Sequence, residues 1–366
     1  MTDNLRVVIA DDSALFRAVI KRSLISIGGV DVIGQASNGS EALELVRLHS
    51  PDLLTLDLNM PVLDGLQTLK ILREERLHCD VVVVSTETKQ GASTTFEALQ
   101  LGAVDFITKP DEGNAASSSD VLNQQLRRQL AGIRLRRDHE RKRKRLIGAS
   151  VQPKEPSLRI PILDVTREVR TSKLAVVAIG SSTGGPAALP ILLGGLPCDF
   201  PIPIIVVQHM PPLFTAGLAD ALTRKCKIRV FEAKDGQILS SGSAYVAPGG
   251  KQLMAQRTLD GRVQVKVTDD PPENHCKPSV DYLFRSLSQT FPNQVIAAIL
   301  TGMGNDGVAG LRLLKAVGAW TMAQDEATCT VFGMPQEAIR AGVIDSVLPL
   351  NCIASNFLDI IRTNER

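Results

Sequence analysis

The chain has 366 residues, more than a usual single domain, which points to two units of ordinary size joined by a linker. Its 41 basic and 39 acidic residues nearly balance, which argues against a dedicated nucleic-acid binder unless the average hides a local patch. Six scattered cysteines without a C-x-x-C pair suggest no disulfide framework or zinc site, the carboxylates near the N-terminus do not suit a signal peptide, and no apolar run approaches the roughly 20 residues of a membrane span, so a soluble protein of the reducing cytoplasm is expected.

From Leu5 to Pro110 short apolar runs alternate with amphipathic segments. LRVVIA precedes a helical stretch from Ser13, DVIGQA one from Ser40 and DLLTLDL one from Gly65, and the series closes with VVVVS and FITKP. That alternation reads as a five-stranded parallel sheet covered on both faces. In the first helix Ser13 can cap the N-terminus, Leu15, Val19, Ile20, Leu24 and Ile27 form one apolar face, and Gly28-Gly29 ends it. After Pro110 a small-polar stretch leads into a helix with Leu122, Leu126, Leu130 and Ile133 at helical spacing, expected to start against the first domain and to continue as a charged extension. Residues from about Gly148 to Thr171, with Pro153, Pro156 and Pro161, read as linker. The basic run from Arg141 to Arg145 could touch nucleic acid or anionic lipid, but no recognition helix, aromatic platform or zinc module accompanies it, and a solvated linker face is the better reading. A second domain opens with LAVVAIG and repeats the strand-then-helix pattern through IPIIVVQHM, SAYVAP and QVIAAILTG, ending near Ile361.

In a parallel α/β sheet, ligands sit beyond the carboxyl ends of the strands. In the first domain that edge collects Asp11 and Asp12 after strand one, Asp57 after strand three, Ser85 after strand four and Lys109 after strand five. Three gathered carboxylates repel one another and call for a compensating cation, and oxygen donors suit Mg²⁺, which also holds phosphoryl oxygens. Asp57 is then a nucleophile toward phosphorus, Lys109 a fixed positive charge for the phosphoryl group, and Ser85 a hydrogen-bond donor to it. Any one carboxylate could be a solvated strand-end cap, an alternative that five suitable residues at one edge make poor. ADDS, LDLNMPVLDG and FITKP resemble the response-regulator receiver family over about residues 5–125. The resemblance implies Asp57 as phospho-acceptor with a histidine kinase as phosphodonor, Asp11 and Asp12 holding Mg²⁺ with help from the Asn59 carbonyl, Ser85 as switch hydroxyl and Phe106 as switch aromatic. Val62 departs slightly from the basic or polar residue the family often has after the proline.

In the second domain GSSTG satisfies G-x-S-x-G, the glycine-flanked turn that lifts a serine, here Ser182, clear of a sheet edge. IIVVQHM places His209 at the end of the next apolar run and AAILTGMGNDG places Asp306 just past a third, so a nucleophile, a base and an orienting carboxylate lie on strand ends at one edge. Each has a plain structural alternative: a helix N-cap for Ser182, a capping role for His209, a turn role for Asp306. Two other chemistries compete. Gly302 to Gly307 match G-x-G-x-x-G, with Asp325 near the distance a nicotinamide site needs, but this leaves Ser182 and His209 without a role. An α/β-hydrolase order would use His275 last, yet PPENHCKP lacks a strand to deliver it.

GSSTGGP, QHMPP, PSVDYLF, LTGMGNDG and AQDEATCTVFGMP, in that order, resemble the chemotaxis protein-glutamate methylesterases over about residues 173–362. The resemblance implies Ser182 as nucleophile, His209 as base and Asp306 as orienter, with the Met303 N–H and the Thr183 neighbourhood stabilising the oxyanion. It also implies methyl-accepting chemoreceptors as substrates, a second activity as glutamine deamidase, and no cofactor in this domain. Ser181 stands where the family commonly has Ala, and Cys276 where many relatives have His; Cys276 receives no catalytic task, and Cys329 lacks a base nearby in sequence. The expected architecture is two doubly wound parallel-sheet α/β domains, a flavodoxin-like receiver (1–125) and a Rossmann-like hydrolase (173–366), joined by a helical, basic linker (126–172). A cytoplasmic monomer with no nucleic-acid partner and no membrane insertion is expected. The competing classes are a phosphorylation-controlled binding module with an inactive hydrolase domain and a nicotinamide-dependent oxidoreductase.

Overall fold

The computed structural model describes residues 4–86, 88–109, 115–148 and 173–364, with side chains of the long helix 115–148 described from 120 to 138. Strands β1 (Leu5–Ala10), β2 (Val30–Ala36), β3 (Leu53–Asp57), β4 (Asp80–Ser85) and β5 (Asp105–Thr108) form one parallel sheet in the order β2-β1-β3-β4-β5. Helices α1 (Ala14–Ile27), α2 (Gly39–His49), α3 (Gly65–Glu74), α4 (Lys89–Leu101) and α5 (Ala115–Gly148) follow the strands in turn. Parallel neighbours need helical crossovers, and helices on both faces let inner strands be apolar at every position, as Val7, Val8, Ile9 and Ala10 are, all fully buried.

The caps follow the expected chemistry. Ser13 Oγ accepts the Phe16 N–H at 3.3 Å, and α1 stops at Gly28, whose φ of 79° suits glycine. Leu15 departs from expectation: it is 78% exposed, because the buried stripe follows Phe16, Ile20 and Leu24 at i, i+4 spacing and Leu15 lies one residue off that line. In α5, Leu122, Leu126, Leu130 and Ile133 pack with Leu5, Val7, Ile9 and Ile107, and Arg137 pairs with Asp52 at 2.5 Å. Of the linker expected over 126–172, residues 149–172 and the side chains of Arg141–Arg145 lie outside the described residues.

The second domain holds strands β6 (Val176–Ser181), β7 (Ile204–Gln208), β8 (Arg229–Glu232), β9 (Ser243–Val246), β12 (Val295–Ile299), β13 (Trp320–Gln324) and β14 (Ser346–Leu348) in one all-parallel sheet of order β14-β13-β12-β6-β7-β9-β8. Its helices are α6 (Gly185–Gly194), α7 (Phe214–Lys225), α8 (Val280–Thr290), α9 (Val308–Ala316), α10 (Met334–Arg340) and α11 (Leu350–Asn364). β10 (Gln252–Arg257) and β11 (Val263–Thr268) form an antiparallel hairpin outside this pattern, with Leu253, Ala255, Val263 and Val265 packed with Leu283 and Leu287 of α8. The chain leaves β6 toward β7 on one side and returns as β12 on the other, so the strand order switches at β6. That is where an open α/β sheet parts its loops and forms a crevice.

The two domains meet through α4, β5 and α5 on one side and α7 with the strand-end loops on the other. The Phe106 ring stacks on Phe214 with centroids 4.5 Å apart, and Phe96 lies over Gly217, where a Cβ would stand 2.8 Å from the ring edge. Arg128 donates to the His275 carbonyl at 3.1 Å. Among the described residues no helix is long and apolar enough to cross a membrane.

Candidate active site

The edge of the first sheet brings the predicted carboxylates together. Asp11, Asp12 and Asp57 offer oxygens within 4.8 Å of one another, and Lys109 Nζ lies 2.8 Å from Asp57 Oδ2 and 2.9 Å from Asp11 Oδ2. Burial pushes the Asp57 carboxyl above the usual range, against the opposing pull of Lys109 and the Asn59 N–H. Asp11 Oδ2 is buried and, although Lys109 is near, accepts no well-directed hydrogen bond. Hard oxygen donors, repulsion and an under-satisfied buried oxygen together fit a divalent cation such as Mg²⁺. Ser85 Oγ donates to the Gly91 carbonyl at 3.2 Å, and Phe106 is buried in the domain interface.

At the second sheet's switch point, β6 ends at Ser181 and delivers Ser182, β7 ends at Gln208 and delivers His209, and the loop after β12 delivers Asp306. His209 Nε2 and Asp306 Oδ2 are 2.7 Å apart. The aspartate also accepts from Ser279 Oγ (2.8 Å), the Val280 N–H (2.7 Å), the Asp281 N–H (3.1 Å) and Asn274 Nδ2 (3.1 Å), so it sits at the N-terminus of α8, where backbone donors and the helix dipole favour an anion. Burial works against its charge, yet His209 and these donors outweigh burial and hold it down at about 2. For His209, burial disfavours the charged ring, but Asp306, with Cys276 beside it, raises the group to about 9. With Nε2 committed to Asp306, Nδ1 is the nitrogen left to take a proton, and it faces Cys276 Sγ at 3.7 Å. Among the described residues no hydrogen bond joins Ser182 Oγ to His209, in keeping with the loose geometry of substrate-free sites.

The turn that carries the serine is held from both neighbouring strands. Ser182 N–H donates to the Thr301 carbonyl at 3.0 Å, while Gln208 accepts from Ser181 Oγ at 2.6 Å and donates to the Ser182 carbonyl at 2.9 Å. Gly302 lets the loop bearing Met303 pass close by: a Cβ there would lie 2.7 Å from Ser182 Cβ and 2.4 Å from Met334 Sδ. Gly302→Ala is therefore expected to displace the serine and to cost about 10²-fold in ester hydrolysis with the protein still folded, read from turnover beside a thermal melt. Thr183 is buried, its carbonyl accepting from Thr301 Oγ1 at 3.0 Å and its side chain close enough to Asp105 of the first domain to help lower that buried carboxyl.

Sequence reasoning missed the clamp on Asp306. Asn274 bridges Asp281 and Asp306, and Asp281, pushed up to about 6 by burial and then by the Asp306 charge, caps Gly310 N–H at 2.6 Å. PSVDYLF carried Ser279 and Asp281 in plain view, but nothing local shows which distant carboxylate a helix start will face. The competing readings lose their residues here. Asp325 is used by Thr328 N–H at 3.0 Å, the space beside Gly302 is filled by Ser182 and Met334, and His275 is an exposed loop residue, the bond to Asp306 being made by His209. Burial drives the Cys329 thiol well above its ordinary range, the opposite of an activated nucleophile.

Fold and site together define a class: a response regulator whose receiver is joined to a second parallel α/β domain with a Ser, His and Asp at the sheet's switch point. The response regulator receiver domain model matches residues 7–116 and the CheB methylesterase model residues 177–357. A protein-glutamate methylesterase/protein-glutamine glutaminase of Desulfotalea psychrophila is 43% identical over 98% of this chain and 99% of its own, and one of Archaeoglobus fulgidus is 41% identical over 99% and 100%. The crystal structure of the Thermotoga maritima CheB methylesterase catalytic domain, 39% identical, superposes with a TM-score of 0.50 over 52% of this chain and all of that one. The chain belongs to the protein-glutamate methylesterase/protein-glutamine glutaminase family of response regulators.

Proposed function

We propose that this protein is a cytoplasmic, phosphorylation-activated esterase that hydrolyses glutamate methyl esters on methyl-accepting chemoreceptors and deamidates particular glutamines of the same proteins. The observation that carries the reading is the His209–Asp306 pair, 2.7 Å long and anchored on the N-terminus of α8, at the switch point beside Ser182. Ser182 attacks the γ-carbonyl carbon of the ester, and His209 Nδ1 takes its proton and passes it to the departing methanol oxygen. Water, activated by the same nitrogen, then hydrolyses the acyl-enzyme; with glutamine, ammonia leaves instead. The Met303 N–H and the donors around Thr183 stabilise the oxyanion in both steps.

The working parts are a receiver (1–125), a linker (126–172) and a catalytic domain (173–366), acting as a monomer with no nucleic-acid partner. In the receiver, Asp11, Asp12, Asp57 and the Asn59 carbonyl would hold Mg²⁺, which when bound neutralises phosphoryl charge. Asp57 accepts the phosphoryl group from a histidine kinase, Lys109 pairs with it, and Ser85 turns toward it. Methanol release from methylated receptor membranes, with and without a small-molecule phosphodonor, tests the whole reading. No methanol under either condition overturns it, and a fluorescence change with a reduced nicotinamide would point to the oxidoreductase instead.

A pH profile tests the role of His209. The working base is neutral, and a group raised above its ordinary 6.5 toward about 9 reaches that form only at higher pH. kcat/KM is therefore expected to climb with pH through neutrality, and Asp306→Asn, which removes the hydrogen-bonded carboxylate that raises the ring most, to move the climb to lower pH. A profile already flat above pH 6.5 would contradict the assignment.

A further inference from the structure

Cys276 is used by no step of the mechanism, yet its thiol lies against the nitrogen on which the mechanism turns. The loop that carries it is tightly built. Glu273 and Cys276 exchange backbone hydrogen bonds of 3.1 and 2.8 Å, Asn274 and His275 between them have φ of 52° and 60°, and Arg285 grips Glu273 with a two-pronged ion pair of 2.6 and 2.7 Å. Gln252 Nε2 also donates to the Cys276 carbonyl at 3.3 Å. Held this way, the half-exposed Cys276 places Sγ 3.7 Å from His209 Nδ1.

That separation matches a metal-bridged pair. A tetrahedral Zn²⁺ with bonds of about 2.3 Å to sulfur and about 2.0–2.1 Å to nitrogen keeps its two ligand atoms about 3.6 Å apart. The cysteine is not alone: His209, Cys276 and Asp306 offer ligand atoms within 4.8 Å of one another. Asp306 engages Nε2, the far side of the ring, at 2.7 Å, which is the carboxylate–histidine–metal arrangement that orients an imidazole ligand and raises its basicity.

We propose that Cys276 Sγ and His209 Nδ1 form an inhibitory site for a thiophilic divalent cation of the Zn²⁺ class, with Asp306 as the supporting carboxylate. The site rests on the reading of His209 as the general base. On binding, Cys276 gives its thiol proton to solvent, the metal takes the Nδ1 lone pair, and water fills the remaining positions. That lone pair can then no longer accept the Ser182 proton, so hydrolysis stops until the metal leaves. Two protein ligands make a reversible site rather than a structural one, and the pairing of thiolate with imidazole excludes Mg²⁺, which prefers oxygen.

The test uses the full-length protein, stripped of metal, in a background where the exposed Cys198 and Cys352 are replaced by serine. Cd²⁺ is titrated while the ultraviolet cadmium–thiolate absorbance is followed, and Zn²⁺ is titrated into the methanol assay with phosphodonor and excess Mg²⁺ present. Each variant is compared with its own metal-free rate. The expected results are one cadmium–thiolate signal per chain that Cys276→Ser removes, and Zn²⁺ inhibition of about tenfold or more, reversed by chelator, whose apparent affinity Cys276→Ser weakens by about 100-fold, since losing even an outer partner of a metal ligand costs roughly 10–100-fold. Unchanged inhibition in Cys276→Ser would place the metal elsewhere, the receiver carboxylates included, and overturn the site. If the metal-free protein released no methanol, the esterase reading would fall, while the cadmium signal would still decide whether the site exists.

Discussion

Ser182→Ala is expected to fold as the parent does and to release methanol from methylated receptor membranes at least about 10³-fold more slowly. Its backbone ties account for the first half: the N–H bond to Thr301 and the carbonyl bonds from Gln208 and Gly185 do not involve the side chain. The Cβ that packs beside Gly302 is kept as well. What alanine removes is the oxygen that forms the acyl bond, for which no described neighbour substitutes. His209→Ala should be comparably inactive. Asp306→Asn is a different case, because a carboxylate that accepts from two backbone N–H groups, Ser279 Oγ, Asn274 and His209 would be replaced by a group that must present a donor to one of them. That variant should keep residual turnover through the oxyanion donors and lose about 1–3 kcal/mol of stability, seen in denaturant titration. Near-parental methanol release from a folded Ser182→Ala protein would sink the site.

The second large effect is expected from removing the receiver: a fragment starting near Ser172 should hydrolyse receptor esters roughly 30–150-fold faster than the unphosphorylated whole. A docking preference of about 2–3 kcal/mol gives that range while remaining releasable by phosphorylation. The docked surface borders the turn that carries Ser182. The side chain of Thr183, next to the nucleophile, lies close to Asp105, whose carboxyl it helps lower against burial, and Arg128 donates to the carbonyl of His275, next to Cys276. The signal has a short route. Ser85 ends β4 opposite Thr108, Phe106 lies two residues back in β5 opposite Val83, and the Phe106 ring stacks on Phe214 of α7, so the proposed phosphoryl site has a short route to the interface through one aromatic side chain. Phosphodonor should therefore activate the full-length protein but not Asp57→Asn. Gly217→Leu, which puts a side chain into the space occupied by Phe96, should raise the unphosphorylated rate without touching the catalytic groups. An inactive fragment beside an active phosphorylated whole would mean that the receiver contributes to catalysis, and occlusion would be wrong.

Much of this was legible one residue at a time. Alternation of apolar runs with helical periods marked all five strands of the first sheet and four of the seven of the second, β6, β7, β9 and β12, because strands buried on two faces are largely apolar, while the shorter or more polar β8, β13 and β14 went unmarked; strand-end positions singled out Asp57, Lys109, Ser182, His209 and Asp306 because loops at that edge are where an α/β sheet exposes side chains. The hairpin of β10 and β11 stands outside the parallel pattern: QLMAQR and VQVKVT alternate as a half-buried ribbon does, and such polar-interleaved segments lack the continuous apolar run that marks the sheet strands. Tertiary structure alone decided the rest. Which nitrogen of His209 faces Asp306, that the carboxylate rests on the start of α8, that Cys276 closes on the other nitrogen, and that Phe106 meets Phe214 all depend on segments many residues apart arriving within a few ångströms. Periodicity records which face of an element is buried; it carries no record of which distant element will bury it, and that is set only when the whole chain has packed.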